Sequence, residues 1–486
     1  MVSLIGGGPG AVDLITVKGL QRIREADCII YDRLSSPELL DEAKASCELI
    51  YVGKESHNHT MKQEDMNLLL VEKAKQYGRV VRLKGGDPYV FGRGGEEALV
   101  LKEQGISFEV VPGISSSIAG PAYVGIPVTH RGVAMGFHVV TAHNKKDELA
   151  DIDFKAMARG NDTCIFLMGL SKVKEIADKL MEAGMSPETG VAVISKATTP
   201  EQQTCVASLL TIAGEVEKAA LPSPALIVVG EVVKLREQLN FFEEKELFGR
   251  RYLVTKVGEE QSRLTKILQE KGAFVTEVTT GVIQKKDYPL QKEELEQVDW
   301  LIFTSGNGVT AFFENLKKSG LDSRSLWHTK IASVGKKTSL ALESYGIYRD
   351  LEAEKAYADS LAETLEKELT GKENLWYVKA QETDDSLRKH LKDKCNYREA
   401  IFYENVATRE AESRDIVKDA YDGIFFTCAS SVKRFLGEKG ESTTLCYSIG
   451  EKTTKALLEC GIEQEQIRQA IEPSYEALAE CALTGN

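Results

Sequence analysis

The sequence predicts an α/β protein made of two successive units, and three observations support that prediction. Short apolar strands alternate with amphipathic helices along the 486-residue chain, a pattern typical of sheets covered by helices. Residues 82–97 form a glycine-rich segment, RLKGGDPYVFGRGGEE, between a strand-like run and a helix-like run. The second half contains an internal repeat, in which residues 299–309 align with residues 422–432.

The first half is predicted to contain two subdomains, at residues 1–113 and 114–240. Strands are predicted at residues 2–5, 28–31, 79–83 and 225–229, and helices at residues 16–26, 64–77 and 96–104. The 64–77 helix has apolar residues at helical spacing and ends at Gly78. Residues 241–249, FFEEKELFG, show no clear periodicity and are predicted to be a linker.

The second half, residues 250–486, restarts with a predicted strand at 252–255 and a helix at 261–270 that Gly272 closes. Each copy of the repeat is a strand that ends in small and hydroxyl residues and leads into a helix. The hydroxyl residues are Thr304 and Ser305 in the first copy, and Thr427 and Ser430 in the second. They line a carboxylate-binding cleft between two lobes, or they serve only as helix caps, and both readings remain open.

Composition excludes several classes of function. The net charge of −13 argues against nucleic acid and anionic membranes as general partners. No stretch approaches the roughly 20 apolar residues of a membrane span, and the first residues do not read as a signal peptide. The nine cysteines are dispersed, which predicts reduced thiols in the cytoplasm and no metal site.

The glycine-rich segment predicts a ligand site, because a strand that opens into such a loop and then a helix is where α/β sheets bind ligands. It matches neither a phosphate-binding loop nor a dinucleotide fingerprint. Residues 6–11, GGGPGA, fit a dinucleotide pattern better, with Asp32 near the position of a ribose-binding acid. Pro9 weakens that alternative because it removes an N–H group, and the helix starts only near Thr16.

Charged residues at strand ends are candidates for chemistry. Asp32 and Lys54 follow neighbouring strands and could exchange protons, although Asp32 could instead cap a helix or pair with Arg33. A second set could form the basic patch that an anionic substrate requires, with solvated surface charge as the alternative. This set is Lys84, Arg93, His130 and Arg131.

On these residues, the first 240 positions resemble uroporphyrinogen-III C-methyltransferases of the tetrapyrrole methylase family. The matching motifs are GPG at 8–10, YDRL at 31–34, VGK at 52–54, the 82–97 segment, VPGI at 111–114, GIP at 125–127, THR at 129–131, MGL at 168–170 and SPAL at 223–226. The resemblance implies two α/β subdomains with S-adenosylmethionine in the cleft between them and S-adenosylhomocysteine as product. It implies Asp32 as proton acceptor and Lys54 as proton donor.

The resemblance also implies a set of cofactor contacts. They are Pro9, Gly85, Gly86, Asp87, Val90, Ser115, Ser116, Met168 and Ala197. The sequence departs from the family pattern at five positions: Ser115 replaces a usual threonine, Ala197 a usual glycine, Glu55 and Gln203 usual arginines, and Ala11 a common aspartate.

Residues 250–486 resemble uroporphyrinogen-III synthases, through TSGNGV at 304–309, the paired Gly-x-x-Thr segments and FYE at 402–404. That family has two α/β lobes joined by a two-stranded ladder. It implies lobe one at 250–279 plus 407–486 and lobe two at 289–395. Tyr403 would assist loss of hydroxide from hydroxymethylbilane, or be a half-buried aromatic residue. Thr304, Ser305, Asn307, Thr427 and Ser430 would bind substrate.

Together the resemblances imply a bifunctional cytoplasmic enzyme of porphyrin biosynthesis, on the route to sirohaem or cobalamin. The second half would close hydroxymethylbilane to uroporphyrinogen III. The first half would methylate it twice to precorrin-2 and form a homodimer, and the partners would be small-molecule tetrapyrroles. The alternative is a methyltransferase with a non-catalytic carboxylate-binding second half, which the unusual residues 379–381 would suit.

Overall fold

The computed structural model divides the chain into two compact units. One contains Met1–Arg250 together with Leu268–Phe274, and the other contains Arg251–Ile267 together with Val275–Asn486. The structure describes residues 1–34, 36–44, 46–53, 63–143, 148–258, 260–355, 357–383, 385–408, 421–437 and 444–483. None of the helices in these ranges is long and apolar enough to cross a membrane.

The first unit begins with a parallel five-stranded sheet in the order β3-β2-β4-β1-β5. Its strands are β1 (Val2–Gly6), β2 (Cys28–Tyr31), β3 (Glu48–Tyr51), β4 (Val80–Lys84) and β5 (Phe108–Val111). Its helices are α1 (Val17–Glu25), α2 (Gln63–Gln76) and α3 (Gly94–Glu103). β1 and β4 are buried along their whole length, as expected for central strands of a covered parallel sheet.

The start of α1 has a local cause. Residues Val12–Leu14 form a separate 3₁₀ turn, and the chain becomes α-helical only after Thr16. The Thr16 hydroxyl accepts a hydrogen bond from the Gly19 N–H at 3.2 Å and caps the helix. This late helix start was the feature that argued against a dinucleotide site, where the helix begins directly after the glycines.

A second, mixed sheet follows, in the order β6-β7-β10-β8-β9. Its strands are β6 (Phe137–Thr141), β7 (Thr163–Leu167), β8 (Gly190–Ser195), β9 (Gln203–Ser208) and β10 (Ala225–Val229). The helices are α4 (Ser116–Tyr123), α5 (Phe154–Arg159), α6 (Val173–Glu182), α7 (Ile212–Ala219) and α8 (Arg236–Leu239). Only β6 and β7 pair in parallel.

The segment predicted as a linker, residues 241–249, packs into the first unit. Phe242 and Leu247 are buried, and the Phe242 ring lies 4.8 Å from the Tyr123 ring between centroids. The Leu247 N–H donates to the Lys271 carbonyl at 2.9 Å. The compact units therefore divide the chain differently from the predicted boundary at residue 250, because residues 268–274 belong with the first unit.

The second unit contains a ten-stranded sheet in the order β15-β14-β13-β16-β17-β12-β11-β18-β19-β20. The strands are β11 (Arg251–Val257), β12 (Phe274–Lys285), β13 (Trp300–Phe303), β14 (Lys330–Ser333), β15 (Leu351–Glu352), β16 (Asn374–Ala380), β17 (Asn396–Ala407), β18 (Gly423–Phe426), β19 (Leu445–Ser448) and β20 (Ile467–Gln469). The helices are α9 (Arg263–Glu270), α10 (Lys292–Leu295), α11 (Gly306–Lys318), α12 (Lys336–Glu343), α13 (Ala358–Glu366), α14 (Ser386–Leu391), α15 (Ala429–Leu436), α16 (Glu451–Glu459) and α17 (Tyr475–Glu480).

Strand pairing in this sheet places the first βα unit with the last strands. β11 pairs in parallel with β18, with Tyr252 opposite Gly423. β12 pairs with β17 antiparallel, with Val282 opposite Val406, between two sets of parallel strands. The repeat is present as two strand-to-helix units, β13–α11 and β18–α15.

Candidate active sites

In the first unit, three loops meet at the carboxyl ends of β1, β4 and β5. The Gly7 N–H donates to the Lys84 carbonyl at 2.7 Å, and the Gly86 N–H donates to the Gly8 carbonyl at 2.6 Å. A Cβ atom placed on Gly113 would lie 2.2 Å from the Gly86 carbonyl oxygen. Since real Cβ atoms do not approach so closely, only glycine lets the β5 loop reach the β4 loop here.

These contacts show which of the N–H groups predicted to bind the cofactor are already hydrogen-bonded within the protein. The Gly86 N–H is used within the protein, and its carbonyl accepts from the Gly8 N–H at 3.2 Å. Within the described ranges, the N–H groups of Gly85 and Asp87 have no hydrogen-bond acceptor. Gly85 has a packing role as well, because a Cβ atom there would lie 2.7 Å from the Leu34 carbonyl oxygen.

The Asp87 carboxylate holds the loop in shape. One oxygen accepts from the Tyr89 N–H at 2.8 Å and the other from the Gly113 N–H at 3.0 Å. Val90 lies further along the same loop, where its side chain is exposed. Asp87 therefore ties the loop after β4 to the loop after β5.

The N-terminus of α4 lies beside Gly86. The Cβ direction of Gly86 points towards the Ser115 Cα and the Ser116 nitrogen, each at 3.9 Å. Ser115 caps α4 by accepting a hydrogen bond from the Ser117 N–H at 3.3 Å. The structure thus brings Gly86, Ser115 and Ser116 together at the edge of one sheet.

Two turns of the second subdomain contain non-glycine residues with positive φ. Met168 follows β7 with φ of 58°, and Lys196 and Thr198 follow β8 with φ of 46° and 70°. Non-glycine residues in the left-handed region are uncommon and concentrate at functional sites. The Ala11 N–H donates to the Thr198 hydroxyl at 3.0 Å, so the loop that contains Pro9 touches the turn after β8.

Ala197 lies between the two strained residues, and its side chain is buried. It belongs to an apolar cluster with Leu226 and Ile194. An added Cβ on Gly120 of α4 would lie 3.3 Å from the Ala197 Cβ atom. The methyl group that replaces the usual glycine hydrogen is therefore accommodated in the core.

Asp32 stands at the open end of a buried ionic network. Its Oδ2 atom accepts from Arg82 at 2.9 Å, and Arg82 also donates from Nε to Glu97 Oε1 at 3.3 Å. Lys84 Nζ donates to the same Glu97 oxygen at 2.8 Å. The Arg82, Lys84 and Glu97 side chains are buried, while Asp32 is 28% exposed. Lys54, the predicted proton donor, lies outside the described residues.

This network corrects the expectation for Lys84, which was predicted to be part of an accessible basic patch. Its ammonium group is buried against Glu97, and burial lowers the pKa of Lys84, with the positive charge of Arg82 adding to the effect. Arg93, His130 and Arg131 are exposed, and Arg93 pairs with Glu96 at 2.7 Å. Only these three residues of the four have the exposure that a substrate patch needs.

Arg82 and Glu97 were missed as site residues, although the sequence carried a signal for Arg82. Residues two apart on a strand share a face, so Arg82 and Lys84 had to project together from β4. Two cations on a buried strand require carboxylates nearby. Finding Glu97 as the partner required the packing of α3 on the sheet, which the sequence pattern does not specify.

In the second unit, the first copy of the repeat forms a hydroxyl cluster. The Ser305 Oγ and the Tyr403 hydroxyl lie 2.6 Å apart, and Ser305 also caps α11 by accepting from the Gly308 N–H at 3.0 Å. Thr304 Oγ1 lies 2.8 Å from the Tyr377 hydroxyl, a residue not predicted from the sequence. Burial raises the pKa of Tyr403, so its hydroxyl stays protonated. Asn307 is exposed in the first turn of α11.

The second copy differs in detail. Thr427 donates to the Thr255 carbonyl at 3.1 Å, and the Ser430 Oγ lies 3.2 Å from the Cys428 sulfur. Cys428 occupies the cap position of α15 without a side-chain cap bond. Of the four hydroxyl residues, only Ser305 is a cap, and it contacts Tyr403 as well. Helix capping therefore explains one of the two contacts of Ser305. It does not explain the contacts of Thr304, Thr427 and Ser430.

The fold and these sites define a two-subdomain α/β methylase followed by a two-lobed α/β unit. Residues 1–213 match the family described as tetrapyrrole (corrin/porphyrin) methylases, and residues 262–480 match uroporphyrinogen-III synthase HemD. The porphyrin biosynthesis protein HemD of Ruminiclostridium josui is 35% identical over 468 residues, which cover 94% of this chain and 92% of that protein.

Two further relatives match the first half. A uroporphyrinogen-III C-methyltransferase of Bacillus subtilis is 47% identical over 244 residues, covering 50% of this chain and 95% of that protein. The crystal structure of uroporphyrin-III C-methyltransferase from Thermus thermophilus with S-adenosylhomocysteine is 40% identical, with a TM-score of 0.43, and covers 48% of this chain and 99% of that one. The chain belongs to the tetrapyrrole methylase family in its first half and to the uroporphyrinogen-III synthase family in its second, which confirms the predicted fold class.

Proposed function

We propose that this chain is a bifunctional enzyme of tetrapyrrole biosynthesis. Its second unit cyclises hydroxymethylbilane to uroporphyrinogen III, and its first unit methylates that product twice, from S-adenosylmethionine, to precorrin-2. The observation that supports methyl transfer most strongly is the meeting of the glycine loops after β1, β4 and β5 with the N-terminus of α4. Membership of both families on one chain supports the pairing of the two reactions.

The residues of this region fit the cofactor. The free N–H groups of Gly85 and Asp87 and the hydroxyls of Ser115 and Ser116 are neutral donors and acceptors that suit an amino acid and a nucleoside. The loop does not resemble a phosphate cradle, and the cofactor has no phosphate. Pro9, Met168 and the backbone of Ala197 complete the proposed contacts, with Gly86 and Val90 shaping the loop. When bound, the cofactor supplies an electrophilic methyl group on a sulfonium centre.

Asp32 is the proposed proton acceptor of the methyl transfer. Methylation of a fully substituted ring carbon leaves a positive charge on the macrocycle, which is removed when the substrate loses a proton from another position, and a carboxylate at the mouth of the site accepts that proton. Arg82 fixes the Asp32 side chain through the 2.9 Å ion pair while 28% of that side chain stays exposed to substrate. Lys54 remains the proposed donor. Arg93, His130 and Arg131 bind the substrate carboxylates by local positive charge despite the acidic chain.

In the second unit, Tyr403 assists the departure of hydroxide from hydroxymethylbilane. Ser305 holds the Tyr403 hydroxyl at 2.6 Å, and the protonated phenol donates a hydrogen bond to the leaving oxygen. Thr304, Asn307, Thr427 and Ser430 bind carboxylates of the substrate. Lys379, in the segment that departs from the family pattern, has its ammonium group 3.1 Å from Glu399.

Cytoplasmic location and a homodimer formed by the first unit are also part of the proposal. The nine free cysteines support a reducing compartment. Sedimentation equilibrium of the full chain measures the oligomeric state, and a monomer at micromolar concentration would contradict the dimer.

The two activities are tested separately on the full chain. Uroporphyrinogen III with S-adenosylmethionine should give precorrin-2 and S-adenosylhomocysteine. Hydroxymethylbilane without cofactor should give isomer III faster than isomer I forms spontaneously. If the first reaction proceeds and the second yields only isomer I, the second unit is the non-catalytic carboxylate-binding module instead.

A further inference from the structure

The ionic network behind Asp32 contains more charge than fixing one carboxylate requires. The side chain of Glu97 is fully buried and lies between two buried cations, Arg82 and Lys84. Its second oxygen, Oε2, has no hydrogen-bond partner among the described residues. A buried carboxylate that leaves one oxygen unsatisfied is costly as a structural element, which calls for another reason for its presence.

The network is balanced in charge. Glu97, from α3, faces Arg82 and Lys84 from β4, with Arg93 at the start of α3 as a more distant cation. Asp32, after β2, faces Arg82, and its charge also reaches Lys84. Among the described residues, Arg82 and Lys84 are the cations within ion-pair distance of these two carboxylates. Two carboxylates and two buried cations therefore form a nearly neutral set.

The negative charge of Glu97 changes the electrostatic environment of the Asp32 carboxylate. Without the Glu97 charge, Asp32 would face two buried cations, and such a carboxylate holds its charge too strongly to accept a proton. With Glu97 present, its negative charge compensates the positive charge of Lys84, and Arg82 pairs with both Glu97 and Asp32. Arg82 then orients Asp32 through the 2.9 Å ion pair while its charge is shared with Glu97.

We propose that Glu97 and Lys84 are positioning residues that set the basicity of Asp32 through Arg82. This inference rests on the proposed role of Asp32 as the proton acceptor of methyl transfer. It assigns to the buried pair a role in the pH dependence of the reaction, and it explains why β4 places two cations two residues apart in an otherwise apolar strand.

The test is the pH dependence of kcat/KM for methyl transfer in the full chain. Glu97→Gln should move the acid limb to lower pH by about one unit and reduce the plateau roughly threefold to tenfold, because a weaker base accepts the proton. Lys84→Met should move the acid limb in the opposite direction. The double variant, Lys84→Met with Glu97→Gln, restores the charge balance and should return the limb to the parent position.

The matched control is Glu103→Gln, which removes an exposed carboxylate from the same helix and should leave the profile unchanged. If both single variants lose thermal stability while their acid limbs stay in place, Glu97 and Lys84 have only a structural role and the inference is wrong. If a single variant fails to fold, the double variant decides, since a limb that differs from the parent contradicts charge balance. Absence of methyl transfer in the parent chain would instead overturn the proposed function.

Discussion

At the residue scale, the glycines around the proposed cofactor site have different reasons for being glycine. Gly113 is required by a close approach between backbones, because its added Cβ would lie 2.2 Å from the Gly86 carbonyl oxygen. Gly95, in the first turn of α3, would meet nothing within 4 Å. The two residues therefore form a matched pair for substitution in one region of the protein.

We expect Gly113→Ala to destabilise the first unit by about 1–3 kcal/mol, the usual cost of overpacking. It should also weaken S-adenosylhomocysteine binding, because the β4 loop must move. Gly95→Ala should preserve affinity and leave stability equal or slightly higher. Thermal denaturation and titration calorimetry measure both effects. Equal affinity in the two variants would contradict the loop assignment.

Tyr403 provides the residue-scale prediction for the second unit. Tyr403→Phe removes the hydroxyl that contacts Ser305 and should slow formation of uroporphyrinogen III by about 10²-fold, in the range for loss of one catalytic donor. Methyl transfer to supplied uroporphyrinogen III should not change. The control is Tyr348→Phe, since Tyr348 is 75% exposed. A Tyr403→Phe variant with parental ring closure would show that Tyr403 is only a packing residue.

At the scale of elements, Glu109 on β5 joins the first sheet to α1. Its carboxylate accepts from Arg22 at 2.5 Å, from Ser3 at 2.9 Å and pairs with Lys18 at 2.7 Å. The Arg22 hydrogen bond, aided by Lys18 and Ser3, lowers the pKa of Glu109 from 4.5 to about 2. The packing of α1 on the sheet therefore includes a carboxylate that stays ionised in mild acid.

The lowered pKa of Glu109 makes the stability of the first unit depend on pH. Because the folded-state pKa lies below the ordinary value, ionised Glu109 stabilises the fold above pH 4.5, and this contribution disappears as the pH falls through about 2. Glu109→Gln should lower the thermal midpoint at pH 7, and the difference from the parent should shrink steadily below pH 4.5. The exposed Glu217→Gln serves as control. A difference that does not change with pH would contradict the ionic origin.

The positions of individual helices and strands were the features predicted best from the sequence. The predicted strand at 28–31 coincides with β2, and the helix at 16–26 differs from α1 only by its two cap residues. Apolar runs and Thr16 as a cap determine these elements locally, so neighbours in sequence are sufficient evidence. The 82–97 segment was correctly placed between strand and helix for the same reason.

What the sequence did not reveal depends on tertiary contacts. The Gly86 N–H looked like a ligand donor, but pairing with Gly8 uses it. Lys84 looked accessible, but α3 covers it and brings Glu97 against it. Residues 241–249 looked like a linker because their apolar residues lack a period, yet Phe242 and Leu247 are buried. Each case required knowing which distant segment packs there.

At the scale of the whole molecule, the chain contains two compact units with separate hydroxyl-rich and glycine-rich sites. Because the two proposed reactions belong to separate units, each activity should survive loss of the other. Asp32→Asn should reduce methyl transfer by about 10²–10⁴-fold, the usual contribution of a positioned base. Ring closure by the same variant should remain at the parental rate. Asp65→Asn, an exposed substitution on α2, is the control.

The most direct test of the account supplies the full chain with hydroxymethylbilane and S-adenosylmethionine together and identifies the tetrapyrrole that accumulates. Two activities on one chain predict precorrin-2, with the Asp32→Asn variant stopping at uroporphyrinogen III. Accumulation of uroporphyrinogen I, the product of spontaneous closure, would contradict the claim that the second unit is a synthase. Accumulation of unmethylated uroporphyrinogen III by the parent chain would contradict the claim for the first.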